Sequence, residues 1–157
     1  MDICWIGISN QKDKMGEPVA PFCNNTPTGK FLENLISHLP ESCHHEKRNY
    51  VDKVLVNEKG KLRNPTKNEL ESSWSNFSSV LQAESNMTFV FFSGILRQFI
   101  SRKMYGHVMP KYQLQQHQNN QIAFFDHPSY INVYKHRYRN DYIEKMANSV
   151  LSNHTKR

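Results

Sequence analysis

The chain has 157 residues, of which 38% are hydrophobic and 11% aromatic; this is enough for one packed core, and no apolar run approaches the roughly 20 residues needed to span a bilayer. Twenty Lys and Arg against fourteen Asp and Glu leave a formal charge of +6, a balance that favours a polyanionic partner. Cys4, Cys23 and Cys43 are odd in number and lack any CxxC spacing, so they provide neither a disulfide framework nor a metal or iron–sulfur motif; no metal and no cofactor are expected.

Asp2 to Ser9 (DICWIGIS) is a short apolar, β-branched and aromatic run, suited to a central strand. It carries an acid where a signal peptide would carry a base, so a cytoplasmic protein is expected. From Asn10 to about Pro27 the chain is rich in Gly, Pro and Asn, and a loop of that length is usually functional. Thr28 is placed to cap a helix, GKFLENLISHLP, in which Phe31, Leu32, Leu35, Ile36 and Leu39 fall at helical spacing. HHEKRNY reads as a polar connector. Val51 to Asn57 (VDKVLVN) alternates as a strand ending in an amide side chain.

After the turn EKGKLRN, Pro65-Thr66 precedes KNELESSWSNFSSVLQAE, whose Leu70, Trp74, Phe77, Val80 and Leu81 make one helical stripe. Met87 to Gly94 (MTFVFFSG) is a continuous apolar run fit for a strand covered on both faces, with ILRQFISRK as a short basic helix behind it. Tyr105 to Asn120 reads as a mobile Gln- and His-rich insertion. IAFF is then a fourth strand, and RNDYIEKMANSVLSNHTKR a closing helix with a basic tail. Strand followed by helix, four times, predicts a three-layer α/β/α sandwich around a four-stranded parallel sheet, with residues 1–157 forming one domain.

In such a sheet ligands bind outside the carboxyl ends of the strands, so Ser9, Asn10, Asn57 and His127 are expected to converge on one crevice. The segments GISNQKDKMGEPVAPFCNNTPTGKFLENLI, VLVN, RNPTKNEL and HPSYI, in that order, resemble the uracil-DNA glycosylase superfamily, in particular its thermostable bacterial and archaeal branch. Gly7, Asp13, Gly16, Pro21-Phe22 and Gly29 follow the outline of that branch's first motif, and HPSYI is similar to its final HPSYL. The resemblance implies a monomeric enzyme that flips a base out of DNA and hydrolyses its N-glycosidic bond, on uracil or on another damaged or modified base, a modified phage base among them.

By the same resemblance Phe22 would stack on the base, Asn57 would read its Watson–Crick edge and His127 would donate to O2. Ser129 would belong to the phosphate pinch, and Tyr130 or Ile131 would wedge into the stack. Basic groups near the strand ends, Arg63, Lys135, Arg137 and Arg139, would contact DNA. The outline departs from that branch at two points. Its Gly-Glu-Ala-Pro-Gly pattern, which carries the water-positioning acid, becomes Gly7-Ile8-Ser9-Asn10-Gln11, leaving Ser9, Asn10 and Asp13 as candidates, and its four cluster-binding cysteines have no counterparts here. A non-catalytic binder of nucleic acid or nucleotides on the same fold is the alternative.

Overall fold

The computed structural model describes residues 1–155, with side chains through Ser152. The described strands are β1 (Asp2–Asn10), β2 (His44–Val54), β3 (Met87–Phe92), β4 (Gln115–His117) and β5 (Asn120–Phe125). Between and after them lie α1 (Pro27–Ile36), α2 (Lys67–Ala83), α3 (Gly94–Tyr105), α4 (Pro128–Tyr134) and α5 (Arg139–Thr155), with a 3-10 turn at His136–Tyr138. The strands form one sheet in the order β2-β1-β3-β5-β4, in which β4 is antiparallel to β5 and all other pairs are parallel. The α/β class is as expected; the sheet is mixed and five-stranded, not parallel and four-stranded.

The fifth strand comes from the segment expected to be a mobile insertion. Gln115, Gln116 and His117 pair with Ile122, Gln121 and Asn120 across a tight turn, with Gln118 at φ 53°. Their side chains give no apolar alternation, so only the partner strand makes them a strand. The same holds for HHEKRNY, which is the first part of β2 and not a connector. β2 pairs only with β1 and lies at the sheet edge, where charged side chains such as Lys47 and Arg48 suit a solvated strand. Lys47 pairs with Glu33 at 2.8 Å and Arg48 with Glu46 at 2.7 Å. Conversely, β2 ends at Val54, and Val56 makes only an isolated bridge to Leu62.

Alternation along the buried strands builds two cores. Trp5, Val90, Phe92, Ala123 and Phe125 face one side with Phe31, Leu32 and Leu35 of α1 and Ile143, Met146 and Val150 of α5. Ile6, Phe89, Phe91 and Phe124 face the other, with Leu70, Phe77 and Leu81 of α2 and Leu96 and Ile100 of α3. β3 has all six residues buried because it is central and covered on both faces.

Caps set the helix starts. Thr66 and Glu69 form a reciprocal capping box on α2, as the Pro65-Thr66 signal suggests. α1 is capped by Thr26, not Thr28: Thr26 Oγ1 accepts from Gly29 N at 3.0 Å, and Pro27 occupies the first helical position, where its missing N–H costs nothing. Gly29 is sterically required there, since a Cβ would sit 1.9 Å from the Cys23 carbonyl oxygen.

The strand order also fixes where a crevice can form. The chain leaves β1 through α1 toward β2, and leaves β3 through α3 toward β5, in opposite directions along the sheet. Right-handed crossovers then put α1 and α3 on opposite faces, and the edge between the ends of β1 and β3 stays open.

Candidate functional site

A cleft of about 1080 Å³ opens at this switch point. Gly7, Ile8 and Ser9 from β1 and Phe92, Ser93 and Gly94 at the end of β3 form its base; Phe22, Asn49, His127 and Ser129 stand around it. It lies where open α/β sheets take their ligands, outside the carboxyl ends of the strands.

His127 is the N-cap of α4. Its Nδ1 accepts from the Ser129 backbone N–H at 3.0 Å, and the Ser129 hydroxyl lies 2.7 Å from the same nitrogen. A backbone N–H can only donate, so Nδ1 is unprotonated, the hydroxyl also donates, and the neutral ring carries its proton on Nε2. Burial pushes the His127 pKa below the usual histidine value, which keeps the ring neutral near pH 7. Pro128 starts the helix in its preferred first position. The HPS sequence thus holds an imidazole as a neutral N–H donor at the cleft wall.

Phe22 reaches the cleft from the long loop after β1. That loop is no open coil: Lys12 and Pro18 bridge, and Val19 N donates to Gln11 O at 3.0 Å, making a small hairpin that returns the chain to the cleft. Phe22 has φ 53°, a left-handed conformation that costs a bulky residue about 1–2 kcal/mol. Its ring is 8% exposed and meets Phe92 edge-on at 5.6 Å. Strain of this kind at a cleft is a feature of ligand-clamping residues.

The amide at the cleft is Asn49, which the sequence alone did not single out. It pairs in register with Gly7, and its Nδ2 donates to Asn10 Oδ1 at 2.7 Å. Gly7 is required by this approach, because a Cβ there would lie 2.7 Å from Asn49 Oδ1 and 3.5 Å from Phe22 Cζ. Asn57 is elsewhere. Its Oδ1 accepts from Lys59 N and Lys61 N at 2.9 and 3.1 Å, closing an exposed turn outside the cleft.

The remaining sequence candidates divide in the same way. Ser9 lines the cleft, with Gln11 beside it. Asn10 serves the cleft indirectly, between Asn49 and Asp52, to which its Nδ2 donates at 3.3 Å. Asp13 stands apart: its Oδ1 accepts from Met15 N and Glu17 N at 2.8 and 3.0 Å and so is occupied by its own loop. The one carboxylate lining the cleft among the described residues is Glu71 of α2, held by Lys103 at 2.7 Å.

Arg63 lines the cleft, but its guanidinium is engaged. It makes a bidentate pair with Glu69 at 2.6 and 3.0 Å and donates to the carbonyls of Val56 and Asn64. Ile131 is fully buried against the α1–α5 core, so it has no free side chain to insert into a base stack. The exposed side chains of this stretch are mainly tyrosines. Tyr130 is 42% exposed, and Val133 (65%), Tyr134 (73%) and Tyr138 (53%) follow it. Four of the seven exposed large hydrophobic side chains among the described residues thus fall within nine positions, and the Tyr130 and Tyr134 rings meet at 5.7 Å. Lys135, Arg137 and Arg139 lie on the same stretch and have no carboxylate partner among the described residues.

The three-layer α/β fold is similar in architecture to that of the uracil-DNA glycosylase superfamily. Among solved structures, wild-type Pedobacter heparinus SMUG2, a member of that superfamily, matches over 97% of this chain and 75% of its own, with a TM-score of 0.63 and 16% sequence identity. At that identity the likeness is one of fold. No protein-family model and no curated protein matches the sequence.

Proposed function

We propose that the chain is a single-domain, monomeric, cytoplasmic DNA glycosylase that flips uracil or another damaged or modified base into the β1/β3 cleft and hydrolyses its N-glycosidic bond. The observation that carries this reading is the neutral His127, whose Nδ1 is occupied by Ser129 and whose Nε2–H is left to donate. As the bond from C1′ to the base breaks, its electron pair goes to the base, and negative charge develops on the pyrimidine oxygen. A donor held beside that oxygen stabilises the charge more in the transition state than in the ground state. Water then adds to the oxocarbenium carbon, and its proton leaves with the base or to solvent.

Asn49 takes the base-reading role first given to Asn57, and Phe22 provides the stacking face. Ser9 and Gln11 are the polar groups placed to hold the water. Neither is a base, which suffices where the cation at C1′ is attacked late and water needs orientation more than deprotonation. DNA is gripped by the ridge of Tyr130, Tyr134 and Tyr138 with Lys135, Arg137 and Arg139, where exposed rings can stack on unpaired bases and cations follow the phosphates, whereas Ser129 spends both its donors on His127 Nδ1 and serves to orient that ring.

The test is cleavage at abasic sites generated in oligonucleotides containing uracil, hypoxanthine, xanthine or modified cytosines, under single-turnover conditions. The parent should cleave at least one of them, and His127→Ala should be slower by about 100-fold or more, the usual effect of removing one such donor. Equal rates for parent and variant would refute the role of His127. The engagement of Asp13 within its own loop favours one rival, a binder without hydrolysis. Salt-sensitive DNA binding with product at no base would support it.

A further inference from the structure

The cleft is larger than one base requires, and its lining reaches from the strand ends to α2 and α3. It extends to the start of α2 and to α3, where Asn64, Lys67, Gln98, Phe99 and Arg102 border it. The space before α3 is open, since a Cβ on Gly94 would meet no atom within 4 Å.

The charges on this side do not cancel. Glu69 is taken by Arg63 and Glu71 by Lys103, at 2.6 and 2.7 Å. Lys67 and Arg102 have no carboxylate partner among the described residues, so two positive charges are left over at the cleft. Arg102 is in the last turn of α3, where the helix dipole favours a cation, and that alone would account for it. Lys67 has no such account. It is the first residue of α2, where the dipole disfavours a positive charge, and the capping box of Thr66 and Glu69 does not need it.

From this surplus of space and charge we infer that the α2–α3 arm of the cleft is an anion subsite, in which Lys67 and Arg102 take an anionic group of the ligand whose base sits by His127. This rests on reading the cleft as the seat of a nucleobase. The anion has two sources of the same chemistry: a nucleotide phosphate next to the flipped base, or a carboxylate carried on the base itself. In either case Phe99 and Gln98 would line the approach.

The test measures binding by ligand-observed NMR or calorimetry at low salt, with four probes: deoxyuridine, deoxyuridine monophosphate, 5-carboxydeoxyuridine and inorganic pyrophosphate. One charged nucleoside should bind about tenfold tighter than deoxyuridine, as expected for a charge-assisted contact, and which one gains identifies the source. In the Lys67→Ala/Arg102→Ala double variant the gain should fall to near onefold, with the unfolding midpoint unchanged, because both side chains are exposed. No gain from either charge, or a gain that survives the double substitution, overturns the subsite. If pyrophosphate binds in a manner that needs both cations while deoxyuridine does not bind at all, the subsite stands and the nucleobase reading fails.

Discussion

Gly7 and Asn49 face each other in register across β1 and β2, so closely that a Cβ on Gly7 would lie 2.7 Å from Asn49 Oδ1. The atom in the way is the tip of a side chain and not backbone, so the fold can absorb Gly7→Ala by swinging the amide. The expected cost in stability is about 1 kcal/mol, the low end for overpacking. The site has no such latitude, because the amide that moves is the one beside Phe22 and the ring is itself 3.5 Å from the new carbon. Gly7→Ala should therefore lose base binding and cleavage with little change in the denaturant midpoint; a variant as active as the parent would show that Asn49 does not read the base.

Asn49 and Asn57 can be told apart directly. Asn49→Ala removes the cleft amide and should relax discrimination between bases by about 1–3 kcal/mol, the range for one good bidentate contact. Asn57→Ala should leave cleavage and selectivity unchanged while costing about 1 kcal/mol of stability, as its turn loses the acceptor for Lys59 N and Lys61 N. Selectivity measured on paired oligonucleotides, alongside urea unfolding, checks both.

The histidines set a pH limit. Burial lowers the pKa of His127, His45 and His117 below the usual value of about 6.5. In the window below that value the unfolded chain binds more protons than the folded one, so these groups contribute stability above about pH 6.5 that is lost as pH falls toward their folded values. At two of them the reason is visible: His127 Nδ1 accepts from Ser129 N, and His45 Nδ1 accepts from the buried Trp5 indole at 2.9 Å, so a proton on either nitrogen would break a bond. Unfolding free energy should decline below pH 6.5, and the decline should be shallower in His127→Gln. The same variant should also lose the acid limb of the cleavage rate.

On the ridge after His127, neutralising Lys135, Arg137 and Arg139 together should weaken DNA binding and reduce the slope of log K against log salt by about 2–3, if each contacts one phosphate. Tyr134→Ser should weaken binding to single strands without changing that slope, since stacking releases no counterions. A slope unchanged by the triple substitution would mean that these cations form a solvated face and that DNA is held elsewhere.

Local patterns in the sequence determined the α/β class, the buried β3, the capped α2 and the presence of a polar turn after β5. The reason is that apolar period, caps and the HPS turn act over a few residues and are present wherever those residues are. Only the tertiary structure decided which polar stretches became strands. HHEKRNY and QQH carry no alternation of their own, and it is β1 and β5, distant or across a turn, that pair them. The candidate site divides along the same line. His127 and Phe22 could be picked from the chain because a motif surrounds each, whereas Asn49 sits in an edge strand among charged residues and becomes a cleft amide only through its register with Gly7. Asn57 looked like the end of a strand, but the strand stopped three residues earlier, and its amide closed the turn instead. Register, strand order and the face a side chain meets are relations between segments, and they are fixed by burial and pairing that no single segment encodes.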